Sequence, residues 1–454
     1  MQATTQLARL VYETGYDDIP QAIIERAKLA IFDSIGIALR GSLSAEALLI
    51  RKLLPSVAAS GKATVVADGR RCQPQWAAFA NAVMVNSLEL DDTSDSTYCH
   101  PAATVVPAVL AVAEEVDVGG KDLLAALVLG YEVTLRVAAA ARSHRAQGFA
   151  ITGTTGTFGA AAATGKVLGL NEEQLVSALG LAGTLAPLSL LEFLSDGSMS
   201  KTIYAGGAAH NGVLATLLAA QGVTGPVGIL DGKFGFLAVA SALENDPSML
   251  VRGLGEKFLI SSVSMKPYAC CRHFHGAIDC LLELREEKGI DWYEDIARIT
   301  IHSNHLAIKG HGDKHPATVV GAQQSFPYVV AVALLEGHVN IDDFAEEKIQ
   351  DPRRYALADR VELLIDEEMV ANLPQKVSCS VRIDLKNGES FQCYSDMPKG
   401  TPEKPLSVKE LEDKFIHLTT PLINKERQLE LKNTILSLEK ASARELGQLL
   451  MVPK

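Results

Sequence analysis

The strongest constraint on this chain is a change of hydrophobic period near residue 258. Before it, apolar residues recur at helical spacing. Residues 20–39 place Ile23, Ile24, Ala27, Ala30, Ile31 and Ile35 on one stripe, with Asp18 placed to cap it. The same spacing returns over 45–54, 73–88, 104–116 and 122–141, and a helix rich in Gly and Ala is predicted over 205–221. The one β-like run in this half is 63–67. After residue 258, alternating runs at 299–302, 361–365, 376–385 and 389–394 predict strands. The last two are joined by Lys386-Asn387-Gly388, where Asn-Gly suits a type I′ hairpin. Helices are predicted among them at 277–288, 325–335 and 342–350, and again over the charged segment 407–449. The reading is mainly α: a large helical domain from residues 1–266, a smaller α+β domain from 267–397, and a segment 398–454 that returns to the helical domain.

Composition narrows the function classes. The 454 residues suffice for two domains of ordinary size. The net charge is −12 with no basic run, which argues against nucleic acid as a partner. An acidic chain that binds an anion must gather its own Lys, Arg and His. The N-terminus does not read as a secretory signal, and the longest window without charge, 202–230, is interrupted by glycines and Pro226, so no membrane span is expected. Seven scattered cysteines, an odd number, fit a reducing cytoplasm.

The densest chemistry lies in 88–101, between two apolar helices. Glu89, Asp91, Asp92 and Asp95 supply four carboxylates, followed by hydroxyls and then His100-Pro101. Pro101 suits the first turn of a helix, because its missing N–H would be unpaired there anyway. His100 therefore falls at or near the N-cap, where backbone N–H groups favour an anion. An imidazole beside a carboxylate cluster is a candidate acid/base group. The plainer alternative is a polar loop in which Asp92 or Ser94 caps the helix.

Three other clusters stand out. Residues 148–159 form a Gly/Thr-rich stretch, read as a loop running into a small-residue helix. It lacks the ending of a phosphate loop, and its hydroxyls, Thr154 among them, are candidates to line a cleft. Lys201 near a helix start adds charge to the positive end of the dipole, which suits anion binding, the alternative being a solvated lysine. Lys266, Arg272 and His275 at the domain junction form a cationic cluster suited to carboxylates. Cys270, Cys271, His273 and His275 are wrongly spaced for a zinc site, so no metal is expected. Residues 304–315 read as a polar loop, and Tyr328 opens a helix from which it either donates into a cleft or packs.

Taken together, these stretches resemble the MmgE/PrpD family. The resemblance rests on 27–36 (AKLAIFDSIG), Leu90-Asp91-Asp92 with His100-Pro101, Gly130-Tyr131-Glu132-Val133, Gly148-Phe149 with Thr152-Gly153-Thr154, Ser200-Lys201, and Gly225-Pro226. It continues through Lys266-Pro267-Tyr268 with His275, and Ser325-Phe326 with Tyr328. It implies a helical domain with an inserted α+β lid, an active site in the cleft and a homodimer; no nucleotide or flavin motif appears in the sequence, so no cofactor is expected. Family site positions fall on Asp91 or Asp92, His100, Lys201, Lys266, His275 and Tyr328. The family pattern after Gly-Phe is His-Pro, whereas this chain has Ala150-Ile151.

The implied chemistry is proton transfer at a carbon next to a carboxylate of a small di- or tricarboxylate. In that scheme Lys201 and Lys266 bind carboxylates, and His100 is the acid/base, tuned by Asp91 or Asp92. Tyr328 and His275 donate to a leaving hydroxyl or carboxylate. The leading expectation is a 2-methylcitrate-dehydratase-like lyase. The alternatives are a decarboxylase of the cis-aconitate type, an epimerase of the iminodisuccinate type, and a non-catalytic member of the family.

Overall fold

The computed structural model describes residues 2–287 and 292–452. Among the described residues eleven helices build the first part: α1 (Ala3–Glu13), α2 (Gln21–Gly41), α3 (Ala45–Val57), α4 (Pro74–Asn86), α5 (Pro101–Val116), α6 (Gly120–Ala140), α7 (Ile151–Val167), α8 (Glu172–Leu185), the single turn α9 (Phe193–Asp196), α10 (Ser200–Ala220) and the short α11 (Phe236–Ala240), with a two-stranded ribbon β1 (Ala63–Thr64) and β2 (Arg71–Cys72). The period-3.6 stripes of α2, α4, α5 and α6 merge into one core with Ala160 and Ala163 of α7 and Ala205, Ala209 and Val213 of α10. Small residues set how closely these helices approach. A Cβ on Gly159 would sit 1.7 Å from Thr134 Oγ1 and 2.6 Å from the Gly130 carbonyl oxygen. α6 is long and apolar enough to cross a membrane, yet 94% of its apolar window is buried inside the protein, as suits a core helix.

Residues 269–385 supply most of a second core around a four-stranded sheet, β3 (Ile296–Ser303), β4 (Val361–Ile365), β5 (Cys379–Leu385) and β6 (Ser390–Ser395), in the order β4-β3-β5-β6. The β3–β4 pair is parallel and the others are antiparallel. Helices His275–Glu287 and Phe326–Glu336 share the sheet's apolar core. The chain then returns: Leu411, Phe415, Leu431 and Ile435 join the core of α2, where Phe415 stacks on Phe32 at 4.4 Å. Lys414 pairs with the buried Asp33 at 2.7 Å.

Three local expectations are corrected. The stretch 148–159 is not a loop, because α7 begins at Ile151 and runs through Gly153, Gly156 and Gly159. Neighbouring side chains and backbone occupy the space a Cβ would need at all three, so tertiary packing outweighs the low helix propensity of glycine. The 386–388 hairpin is not type I′, which needs positive φ at both central residues. Here only Gly388 is left-handed (φ +90°), and Leu385 N–H bonds to Glu389 O at 2.8 Å across three loop residues. That is a type I turn closed by a glycine bulge. Residues 342–350 split into two short turns, Ile341–Phe344 and Glu346–Ile349, instead of one helix. The predicted helix end at residue 288 lies outside the described residues.

Candidate active site

A cavity of about 80 Å³ lies where the two cores meet. Its polar wall comes from the 87–100 loop, the α6–α7 loop and first turn of α7, the start of α10, the 266–273 junction, and His311 with Gln324.

His100 ends the first of these. Its main-chain N–H donates to Thr152 Oγ1 at 2.9 Å, tying the loop to the first turn of α7. Its Nδ1 lies 2.8 Å from the carbonyl oxygen of Asp92. A carbonyl only accepts, so Nδ1 carries the proton and Nε2 keeps the lone pair. Among the described residues none bonds Nε2, and the ring is 19% exposed, toward the cavity. Burial, and next the Lys266 ammonium, push its pKa down to about 3. The imidazole is thus neutral, and its Nε2 lone pair is free to accept a proton.

Asp91 and Asp92 stand behind the ring and do not line the cavity. Asp92 caps α5: its Oδ1 accepts from Ala102 N–H at 2.9 Å and its Oδ2 from the Tyr131 hydroxyl at 2.8 Å. Burial raises its pKa to about 7. Asp91 accepts from Asn86 at 2.8 Å and lies 3.5 Å from His100 Nδ1. The ring is held by the Asp92 main-chain carbonyl with the Asp91 carboxylate beside it, while the Asp92 carboxylate fixes the loop to α5 and Tyr131.

Lys201, in the first turn of α10, and the fully buried Lys266 converge on one carboxylate, Glu89. Lys266 Nζ donates to Glu89 Oε2 at 3.1 Å and to its main-chain oxygen at 3.2 Å, and Lys201 pairs with Oε1. Glu89 is left-handed at φ +55°, a conformation that a non-glycine residue holds only when its surroundings impose it. Burial and the adjacent Lys266 draw the Lys201 ammonium down to about 7, and the Glu89 carboxylate between the two lysines opposes that shift. Arg272 also lines the cavity, but Asp95 already engages it at 3.0 and 3.3 Å.

The remaining sequence candidates sit elsewhere. His275 is buried beneath Arg272: Nδ1 accepts from the guanidinium at 3.2 Å, and the ring meets Tyr268 edge-on. It positions Arg272 and cannot donate to a substrate. Tyr328 packs inside the α+β core, where its hydroxyl accepts from Arg354 at 3.0 Å and donates to Lys348 O at 3.2 Å. Thr154 bonds His144 Nε2 at 2.7 Å, whereas Thr152, two residues earlier, lines the cavity.

Sequence reasoning missed Glu89, Arg145, His273 and His311 in this wall. His311, in the segment read only as a polar loop, is buried. Its Nδ1 bonds the Gln324 carbonyl oxygen at 2.8 Å, leaving Nε2 with the lone pair, and burial lowers its pKa to about 4. His273 Nδ1 has no hydrogen-bond partner among the described residues. The opposite wall is apolar: Ala150, Ile151, Leu191, Phe193 and Leu194.

Comparison with known proteins places this geometry. The model of the MmgE/PrpD N-terminal domain matches residues 5–247, and that of the MmgE/PrpD C-terminal domain matches 268–440. The cis-aconitate decarboxylase-like protein oryM of Aspergillus oryzae is 29% identical over 96% of this chain and 94% of its own. The cis-aconitate decarboxylase of Homo sapiens is 28% identical over 91% and 86%. The 2-methylcitrate dehydratase of Salmonella typhi is 21% identical over 92% and 90%.

Proposed function

The chain belongs to the MmgE/PrpD family, and from that premise we propose that it is a lyase that transfers a proton α to a carboxylate of a small di- or tricarboxylate and releases water. The observation that carries this is His100, a neutral imidazole with its basic Nε2 free in a cavity lined by lysines. A carbon acid beside a carboxylate is weak. Removing its proton places charge on the carboxylate oxygens, and cations already held in place stabilise that charge without reorganising. Lys201 and Lys266 occupy that role.

His100 takes the proton and becomes imidazolium. The bound polyanion stabilises this form, and the Asp92 carbonyl holds Nδ1–H in place. The same proton then passes to the leaving hydroxyl, so that one water departs and a C=C bond remains. The scheme uses only acid, base and fixed charge, and calls for no cofactor.

A second reading, decarboxylation, is favoured by the names of the relatives at 28–29% identity. In it the same cations would stabilise the carbanion left by carbon dioxide, and an imidazolium would protonate it. The free imidazole is set up as a base, which favours dehydration. Proton NMR in D₂O with 2-methylcitrate, citrate, cis-aconitate and an aminodicarboxylate separates the readings. New vinyl signals from a hydroxy acid support the dehydratase. Itaconate from cis-aconitate replaces it with the decarboxylase. Deuterium at the α-carbon with epimer exchange and no net loss makes the enzyme an epimerase.

We also place the protein in the cytoplasm as a homodimer. The seven free cysteines support a reducing compartment, and exposed Leu188, Leu190, Met199 and Ile203 beside the cavity support a self-association face.

A further inference from the structure

Four cationic side chains line the cavity: Lys201, Lys266, Arg272 and Arg145. Three already face a carboxylate, the two lysines on Glu89 and Arg272 on Asp95. Arg145 differs. Among the described residues no acceptor takes a hydrogen bond from its guanidinium and no carboxylate pairs with it. It lies over the Tyr98 ring, 5.9 Å from the centroid. Its positive charge acts on His100, Tyr204, His273 and His311, so it stands central to the polar wall.

The loop that carries it is pinned on both sides. His144 Nδ1 bonds Ala240 O at 2.6 Å, and its Nε2 bonds Thr154 at 2.7 Å. Ser143 N–H donates to Ser241 Oγ at 3.0 Å, and Phe149 stacks on the His144 ring at 4.6 Å. A cation on so braced a loop, with no anion of its own, is preorganised for a ligand.

We propose that Arg145 receives a second carboxylate of the substrate, distinct from the one held at Lys201 and Lys266. The site then selects molecules carrying carboxylates at two positions over monocarboxylates. Planar guanidinium matches carboxylate in two parallel bonds, and the Tyr98 ring lies on one side of it. The inference rests on the carboxylate-lyase reading above and adds which residue reads the second anionic group.

The test is isothermal titration of the wild-type chain and R145M with unreactive ligands of rising charge: butyrate, then succinate, glutarate and adipate, then tricarballylate. The wild type is expected to bind at least one di- or tricarboxylate at least tenfold more tightly than butyrate. R145M is expected to weaken that ligand by about 10- to 100-fold, the worth of a charge-assisted hydrogen-bonded pair, and to leave butyrate unchanged. R145K, which keeps the charge but not the fork, is expected to fall between. If the wild type prefers a polycarboxylate and R145M, folded by circular dichroism, keeps that preference, the assignment of Arg145 is overturned while the reaction class stands. If the wild type binds none of the ligands, the carboxylate-lyase reading itself falls.

Discussion

At His100 the neutral, basic nitrogen depends on one main-chain contact, Nδ1 to the Asp92 carbonyl oxygen. H100N preserves size and polarity but removes the base. It is expected to lower kcat by about 10²- to 10⁴-fold, with KM little changed, in steady-state assays on whichever substrate the NMR panel identifies. The pH profile tests the same residue. With the pKa depressed to about 3, the base form is already present above pH 4. So kcat/KM is expected to show no acid limb near 6.5, the ordinary imidazole value. Lys201 governs the other side. Burial and Lys266 draw its ammonium down while Glu89 holds it up, so KM is expected to climb as pH rises above neutral and that charge is lost. K201R, charged at every pH used, is expected to flatten that rise. The sequence exposed His100, Lys201 and Lys266 because a charged group at a helix start or a domain junction is locally conspicuous. It did not single out Glu89 from its acidic neighbours, since its left-handed backbone and its two lysines are set by segments over a hundred residues away. Tyr328 misled for a related reason. Its helix is apolar on every face, so sequence could not say which side meets the cleft.

At the scale of elements, α7 is where local propensity and packing disagree most. Its glycines and threonines suggested a loop, and the structure makes it a helix whose glycines admit α6 and α10 at close range. This is testable at Gly159, whose missing Cβ leaves room for Thr134 and the Gly130 backbone. Backbone cannot step aside cheaply, so G159A is expected to destabilise the fold by about 1–3 kcal/mol in urea denaturation, despite the better helix propensity of alanine. G312A, at a glycine with nothing within 4 Å of its Cβ position and no left-handed backbone, is expected to stay within about 0.5 kcal/mol of wild type. By contrast α2, α5 and α6 were legible, because each buries an apolar stripe in the core that its period announces. The sheet was legible in part. Alternation located β4, β5, β6 and half of β3, but the parallel pairing of β3 with β4 comes from the crossover between them and has no local signature.

For the whole molecule, the cavity's apolar wall is thin and two-sided. Leu191, Phe193 and Leu194 face inward, while Leu188 is 74% and Leu190 50% exposed. Two main-chain bonds, Ala150 N–H to Ser189 O at 2.7 Å and Leu191 N–H to Gly148 O at 2.9 Å, form a bridge between Phe149 and Leu190 that ties the segment to the α6–α7 loop. A second copy of the chain covering the outward leucines would remove apolar surface from water and brace the wall from behind. If a homodimer uses this face, Leu188 enters the interface twice, once from each protomer, when the two-fold axis is closed. L188E then buries two unpaired charges. Sedimentation is expected to show wild type at twice the chain mass and L188E weakened in self-association on the order of 10³-fold. The variant monomer should keep its helical circular dichroism, yet lose kcat/KM, because the wall over the substrate has lost its support. A wild type that sediments as a monomer at micromolar concentration removes the dimer. A dimer that survives L188E moves the interface elsewhere, and the 186–194 segment must then be held by the helical domain alone.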